Sequence, residues 1–185
     1  MVHEPKNQTG GLEASDASMN TGTGRGEAAE KLSIPWDVTE WLDEPSLLAR
    51  IIEDIDSLDW KNPELERFLR ANPNFQPRFL LVLLTYAYAR GICESDEVVE
   101  LHYRDAELKQ RLPGQPPSAK AVTRFRREHR GLLKWSIAQA LKHALRIRFE
   151  LQDATLPPGL RRLLNDTATM RIDVGRHLDR SVQAE

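Results

Sequence analysis

The sequence predicts an all-α fold, a small helical bundle that contains a helix-turn-helix-like unit and is flanked by disordered tails. Apolar residues recur at the three- and four-residue spacing of helices. No stretch of useful length alternates between apolar and polar residues, and the most apolar run, residues 75–91, lies near the middle of the chain. A length of 185 residues leaves room for one domain and tails. The expected divisions are a tail over 1–33, a helical domain over 34–164 and a flexible C-terminal tail over 165–185.

Residues 75–91 are predicted to form the central helix. Pro77 suits a first helical position, because the N–H that it lacks would be unsatisfied there. Gly91 suits the left-handed residue that ends a helix. Residues 79–84 are apolar on every side, so the helix must be covered on most sides. Because the run to Ala89 is far shorter than the ~20 residues that a bilayer requires, we expect a bundle core and no membrane partner.

The first part of the chain changes from a polar tail to two helical patterns. Residues 1–33 are rich in Gly, Ser, Thr and Asn, and they hold too little apolar surface to offset the entropy of ordering. A helix is predicted to start at Glu44 and to end near Leu58, with one apolar stripe. A second helix is predicted over 64–71, because Asn62 is suited to cap it and the proline that follows Asn62 suits the first helical position. Trp36 is expected to dock on the bundle surface.

The chain after Gly91 is predicted to hold several shorter helices. Ser95 is expected to cap the first of them, and Ser118 is expected to cap the most basic one. Gly131 is the expected interruption of that basic helix. The predicted ranges are a helix over 95–103, one or two turns over 105–112, a break over 113–117, a helix over 119–130, a helix over 132–151 and a last short helix over 160–164.

Charge is distributed unevenly although the formal net charge is only −2. Residues 37–66 hold ten acids and two bases, whereas residues 120–148 hold nine bases and one acid. Cys93 is the only cysteine, so a disulfide framework is excluded and a reducing compartment is indicated. The N-terminus has no apolar segment of signal-peptide length, and we therefore expect a cytoplasmic protein. Cys93 is interpreted as a small packing residue, with a reactive thiol as the alternative.

The helix that starts after Ser118 carries the main functional prediction. Its apolar residues, among them Val122 and Phe125, cluster on one face. Arginine offers bidentate donors that suit phosphates and guanine edges. The basic residues predicted on the opposite arc are Lys120, Arg124, Arg126, Arg127, Arg130 and Lys134. The alternative interpretation is a solvated basic face that pairs with the acidic first third of the chain.

Three blocks in this order resemble the N-terminal domain of InsH-type insertion-sequence transposases. They are Phe75-Gln-Pro-Arg-Phe-Leu-Leu with Leu84-Thr-Tyr-Ala-Tyr-Ala-Arg-Gly-Ile92, then Ser95, Val99-Glu100 and Asp105, then Pro117-Ser with Val122-Thr-Arg-Phe-Arg-Arg-Glu-His129. The resemblance covers about residues 35–145. It implies a helix-turn-helix-like module that binds transposon ends ahead of an acidic-triad nuclease domain. It adds Thr123 to the expected contacts. The acidic stretch 93–97 replaces a polar or basic Ser-Ser-Arg of that family, so the preceding helix is expected to contribute little to DNA contact.

A nuclease domain is not expected in this chain. After Arg148 the sequence has two adjacent prolines and no strand pattern, whereas three carboxylates on a mixed sheet take well over a hundred residues. The acids interpreted as surface residues are Asp153, Asp166, Asp173, Asp179 and Glu185. The histidines show no i, i+4 pair, so no metal and no cofactor are predicted. We expect a non-catalytic binder, not an enzyme.

The expected partner is DNA, in the form of transposon ends. The alternative is an interaction module, in which the acidic first third meets the basic last third of a second copy or of a full-length transposase. A decayed gene product without activity is the third possibility. The predicted DNA-binding residues are Lys120, Thr123, Arg124, Arg126, Arg127, Arg130 and Lys134.

Overall fold

The computed structural model describes residues 32–61, 76–151 and 156–182, and within these ranges the fold is all-helical, as predicted. A 3₁₀ turn at Val38–Glu40 precedes seven α-helices: α1 (Glu44–Asp56), α2 (Pro77–Ala89), α3 (Ser95–Arg104), α4 (Ala106–Arg111), α5 (Ala119–Glu128), α6 (Arg130–Arg148) and α7 (Pro158–Val182). None of these helices is both long enough and apolar enough to cross a membrane. The tail predicted before residue 32 and the helix predicted over 64–71 lie outside the described residues.

Helix α2 is the core of the bundle, which confirms the central-helix prediction. Every side chain from Phe79 to Ala89 is buried, and the middle of the run is inaccessible to solvent. Helices α1, α3 and α6 pack around it. The helix ends as Gly91 predicts, with φ at +76°. The N–H of Gly91 donates to the carbonyl of Tyr88 (3.1 Å) and that of Ile92 to the carbonyl of Ala87 (2.9 Å), which is a Schellman cap.

The segment before α1 covers the C-terminal end of α2. The indole Nε1 of Trp36 donates to the carbonyl of Gly91 at 2.7 Å. A Cβ on Gly91 would lie 2.1 Å from the Trp36 ring, so only glycine allows the ring to sit there. Trp36 therefore docks on the bundle, as expected, while its outer edge stays exposed.

Helices α3, α4 and α5 form the part of the chain in which a helix-turn-helix was predicted, and that unit is not confirmed. Helix α5 packs on α3. The connection from α4 to α5 spans residues 112–118, which is longer than the three- or four-residue turn of a helix-turn-helix. The capping prediction for Ser95 is wrong, because Glu94 is the N-cap and the Ser95 hydroxyl bonds elsewhere. Ser118 caps α5 as predicted, and its oxygen accepts from the N–H of Ala121.

The break between α5 and α6 falls at His129, not at Gly131. The backbone of His129 leaves the helical region with φ −119° and ψ 34°. Gly131 is instead the second residue of α6. The change of direction separates the basic residues before His129 from those after it.

The C-terminal prediction is wrong in its boundary. Residues 165–182 are not a flexible tail but most of α7, a 25-residue helix that packs along α6 and against α5. Ala168 and Ile172 are buried on this contact. Arg171 is also fully buried, and it donates to the backbone carbonyls of Tyr88 and Ala89 at the end of α2. These carbonyls belong to the last turn of α2, and a cation is favoured at that end of the helix dipole.

Candidate nucleic-acid interface

Three of the predicted contacts form an exposed basic stripe along α5. Lys120, Arg124 and Arg127 follow each other at four and three residues, so they share one side of the helix. All three are exposed, and the Arg127 side chain retains 75% of its accessible area. Glu128 pairs with the two arginines, 3.0 Å from the Arg124 guanidinium and 3.5 Å from that of Arg127. Lys120 lines a small cleft together with Glu94 and Asp96.

Arg126 is not part of this stripe, and its prediction as a DNA contact is wrong. It is 3% exposed, and its guanidinium bonds the carboxylate of Asp179 and the carbonyl of Cys93. The register explains the error, because Arg126 lies four residues after Val122 and so shares the buried side of the helix with that valine. Its charge is neutralised inside the protein.

Thr123 also bonds inward rather than outward. Its hydroxyl donates to Asp179 at 2.8 Å, and Ser95 donates to the same carboxylate from both its backbone N–H (3.2 Å) and its hydroxyl (3.0 Å). We call Ser95, Thr123, Arg126 and Asp179 the Asp179 cluster. The cluster joins α3, α5 and α7. Asp179, predicted as a surface acid, is thus a buried structural residue.

Arg130 is held beside α7 but remains partly accessible. Its two terminal nitrogens donate to the two oxygens of Asp173 at 2.7 and 2.9 Å. Hydrogen bonding to Arg130 lowers the pKa of Asp173, and the same bonds raise the pKa of Arg130. Both side chains are about 40% exposed, at 39% and 40%. Arg130 can therefore reach a ligand only in competition with its own carboxylate.

Lys134 lies apart from the stripe. It lines a groove between α6 and α7 together with Trp135 and Lys142. The break at His129 turns α6 away from α5, which explains why Lys134 does not continue the stripe. The predicted set is therefore divided among four locations: the exposed stripe, the buried Asp179 cluster, the Arg130–Asp173 pair and this groove.

Two basic residues that the sequence reading missed lie beside the stripe. Arg176 and Arg180 are one helical turn apart on α7 and are exposed. They line a cleft of about 290 Å³ whose other wall includes Arg127 and Arg130. Their four-residue spacing was visible in the sequence, but residues 165–185 were predicted to be a flexible tail. We call Lys120, Arg124, Arg127, Arg176 and Arg180 the cationic face.

The carboxylates near this face come from the C-terminal half of the chain. Glu128, Asp179 and Asp173 are the acidic partners of the arginines from Arg124 to Arg130. Within the described ranges, the arginines from Arg124 to Arg130 form their ion pairs with these three acids and not with the acids of the first third. Those acids bond other bases, such as Arg90 with Glu44 and Arg78 with Asp56.

No cluster of ligand-type side chains that could hold a metal ion occurs in the part of the chain that the structure describes. Cys93 is 2% exposed, and burial raises the pKa of its thiol to about 12. The thiolate that would be reactive is therefore scarce at neutral pH, which favours the packing role over the reactive one.

Comparison with known proteins finds no family model, no curated protein and no solved structure that matches this chain. The resemblance to transposase N-terminal domains consequently rests on the three sequence blocks alone.

Proposed function

We propose that the chain is a non-catalytic DNA-binding module of the kind that recognises transposon ends, and that it binds duplex DNA through the cationic face. The observation that carries this proposal is the α5 stripe, in which Lys120, Arg124 and Arg127 share one exposed side of the helix. An α-helix fits the major groove, which is about 12 Å wide. The stripe runs over seven residue steps from Lys120 to Arg127, or roughly 10 Å at 1.5 Å per step.

Within this proposal the α5 cations have different roles. Lys120 is in the first turn of α5, and recognition helices contact base edges with their N-terminal residues. Arg124 and Arg127 then lie further along the groove, where phosphates flank it. Arginine can bind such phosphates with two parallel hydrogen bonds.

The ion pairs of α7 support the proposal by fixing this helix beside α5 and the start of α6. The Asp179 cluster connects α7 to α5, and the Arg130–Asp173 pair connects α7 to the first residue of α6, near Arg176 and Arg180. These two arginines then extend the α5 stripe onto a second helix. A rigid arrangement of charges loses less entropy on binding than the same charges on a flexible tail.

A salt titration of duplex binding tests the proposal. Fluorescence anisotropy with a labelled duplex should give a log–log slope of about −4.5 if the five cations of the face each displace a counterion. Replacement of Arg124 and Arg127 by glutamate should abolish binding while circular dichroism shows unchanged helicity. A flat salt dependence, or no binding to any duplex at low salt, would remove the proposal.

The matched control is Arg50→Glu. Arg50 resembles Arg124 in exposure, at 45% against 48%, and in having an acidic partner four residues later on its own helix. It lies on α1, outside the cationic face. Its charge reversal should leave duplex affinity nearly unchanged, and a loss equal to that of the α5 variant would show that only net charge matters.

A second candidate function is an assembly module that forms homo-oligomers or pairs with a full-length transposase. Two large apolar side chains at the end of α6, Ile147 and Phe149, are 50% and 46% exposed. Exposed large apolar side chains can contribute to a contact with another protein chain. Light scattering over a concentration series would support this function if the mass rises with concentration and DNA has no effect.

A further inference from the structure

The groove between α6 and α7 has the composition of a ligand site. Its volume is about 450 Å³, which falls within the range of small-molecule pockets. Its lining combines buried alanine and leucine side chains with polar side chains. Nothing in the proposed duplex contact uses this groove, because the cationic face lies on α5 and on the C-terminal half of α7.

The groove is basic and is not neutralised by the residues that line it. Lys134 and Lys142 contribute from α6 and Arg161 from α7, and none of the described lining residues is acidic. The Nε of Arg161 donates to the carbonyl of Leu156 at 3.2 Å, which orients the guanidinium at the groove. The two lysines are eight residues apart, or ~12 Å along the helix. An anionic ligand with more than one charge fits this spacing.

Trp135 indicates the chemical class of the anionic ligand that the groove would bind. It lies between the two lysines along α6 and is 36% exposed, although tryptophan is usually buried. The amide side chains of Gln139 and Asn165 also line the groove. An acidic peptide requires only donors, whereas a nucleobase offers a flat face for stacking and edges that both donate and accept. An exposed indole beside two amides and three cations matches a nucleotide better than a carboxylate chain.

We infer that the α6–α7 groove binds an unpaired segment of single-stranded nucleic acid. A base stacks on Trp135, and the phosphates on its two sides contact Lys134, Lys142 and Arg161. Base–aromatic stacking is tolerant of sequence, so the groove recognises strandedness rather than a particular base. This inference stands on the groove residues and does not require that the cationic face binds duplex DNA.

The test is anisotropy with a labelled oligoadenosine strand of about ten nucleotides, as DNA and as RNA. The strand should bind at low salt with a log–log slope of about −2, since each of three cations contributes roughly −0.7 on a single strand. Trp135→Ala should weaken binding by about 5-fold to 100-fold, and Trp135→Phe should retain most of the affinity. Lys142→Ala should reduce the slope by about 0.7. Binding of either the DNA or the RNA strand supports the inference. A difference in affinity between the two strands shows whether the groove prefers deoxyribose or ribose.

Controls separate this site from the proposed duplex contact. Phe149→Ala removes an exposed aromatic ring at the end of the same helix, and Lys61→Ala removes a distant exposed lysine; both should bind the strand as the parent does. The double variant of Arg124 and Arg127 should lose duplex binding but lose less strand affinity than Trp135→Ala does. If only duplex binding is absent, the proposal for the cationic face is contradicted and the inference for the groove is not. If only strand binding is absent, the inference for the groove is contradicted and the duplex proposal is not.

Three outcomes would overturn the inference. The first is that no strand binds at low salt. The second is that Trp135→Ala and Lys142→Ala, with unchanged thermal unfolding, both bind the strand as well as the parent. The third is that an oligoglutamate peptide displaces the strand equally well from the parent and from Trp135→Ala, because the site would then recognise charge without a base.

Discussion

Loss of the Asp179 carboxylate should release the C-terminal half of α7 from the bundle. Asp179 accepts from Ser95, Thr123 and Arg126, and the side chains of the ion pair with Arg126 are only 8% and 3% exposed. Removal of one partner of a buried pair leaves an uncompensated charge and costs about 3–5 kcal/mol. Because whole domains unfold with about 5–15 kcal/mol, Asp179→Ala should remove a large fraction of the stability.

Asp173→Ala is the matched control for this prediction. Asp173 is on the same helix and also forms a two-bond contact to an arginine, Arg130. That pair is about 40% exposed, so water screens its charges. Exposed ion pairs contribute about 0–1 kcal/mol, and the control should lower the free energy of unfolding by no more than that.

Two measurements check the prediction. Urea unfolding gives the global free energy of each variant. Alkylation of Cys93, the only cysteine in the chain, reports whether α7 has moved, because the Cys93 backbone lies directly under Gly175 of that helix. Asp179→Ala should speed alkylation under native conditions and Asp173→Ala should not. Equal unfolding free energies in the two variants, with equally slow alkylation, would refute the argument that burial makes Arg126 depend on Asp179.

The remaining predictions concern packing and pH. A Cβ on Gly175 would lie 2.5 Å from the Cys93 carbonyl oxygen, so Gly175→Ala should cost about 1–3 kcal/mol. Gly131→Ala meets no atom within 4 Å, and chemical unfolding should show a gain of up to about 1 kcal/mol. Burial, and next Arg50, lower the pKa of His143. The free energy of unfolding should therefore be undiminished above pH ~6.5, which is the pKa of a histidine in the unfolded chain. It should decrease as the pH drops from there toward the lower pKa of His143 in the folded protein. His143→Gln should flatten that decline in urea unfolding measured across pH.

The core of the fold was predictable because its signals are local. Residues 79–84 are apolar without interruption, and Pro77 and Gly91 mark the two ends of the helix in a way that depends only on backbone chemistry. Such a helix can only be central. The exposed stripe on α5 was predictable for a similar reason, since the Ser118 cap fixes where the helix begins and the four-residue spacing of Lys120 and Arg124 follows from it.

Helix α7 was not predictable by the same rules because its buried side is only partly apolar. Besides Ala168 and Ile172, the residues that face the bundle include Arg171, Gly175 and Asp179. The arginine, the glycine and the aspartate interrupt the hydrophobic stripe, and the two charged residues are buried only because partners on other helices satisfy them. Arg171 meets backbone carbonyls at the end of α2, and Asp179 meets α3 and α5. These partners lie far away in the sequence.

The arginines of α5 show what separates a structural cation from a candidate ligand contact. Arg126 and Arg127 are adjacent in the sequence and chemically identical, but they differ in exposure. The whole Arg126 residue is 3% exposed, whereas the Arg127 side chain is 75% exposed. The difference is register, since Arg126 lies one turn after the buried Val122 whereas Arg127 lies one turn after Thr123, at the edge of that side. Register alone would still leave Arg126 as an unneutralised buried charge. It is tolerated because α7 brings Asp179 to it, so the helix that removes Arg126 from the surface also adds Arg176 and Arg180 beside Arg127.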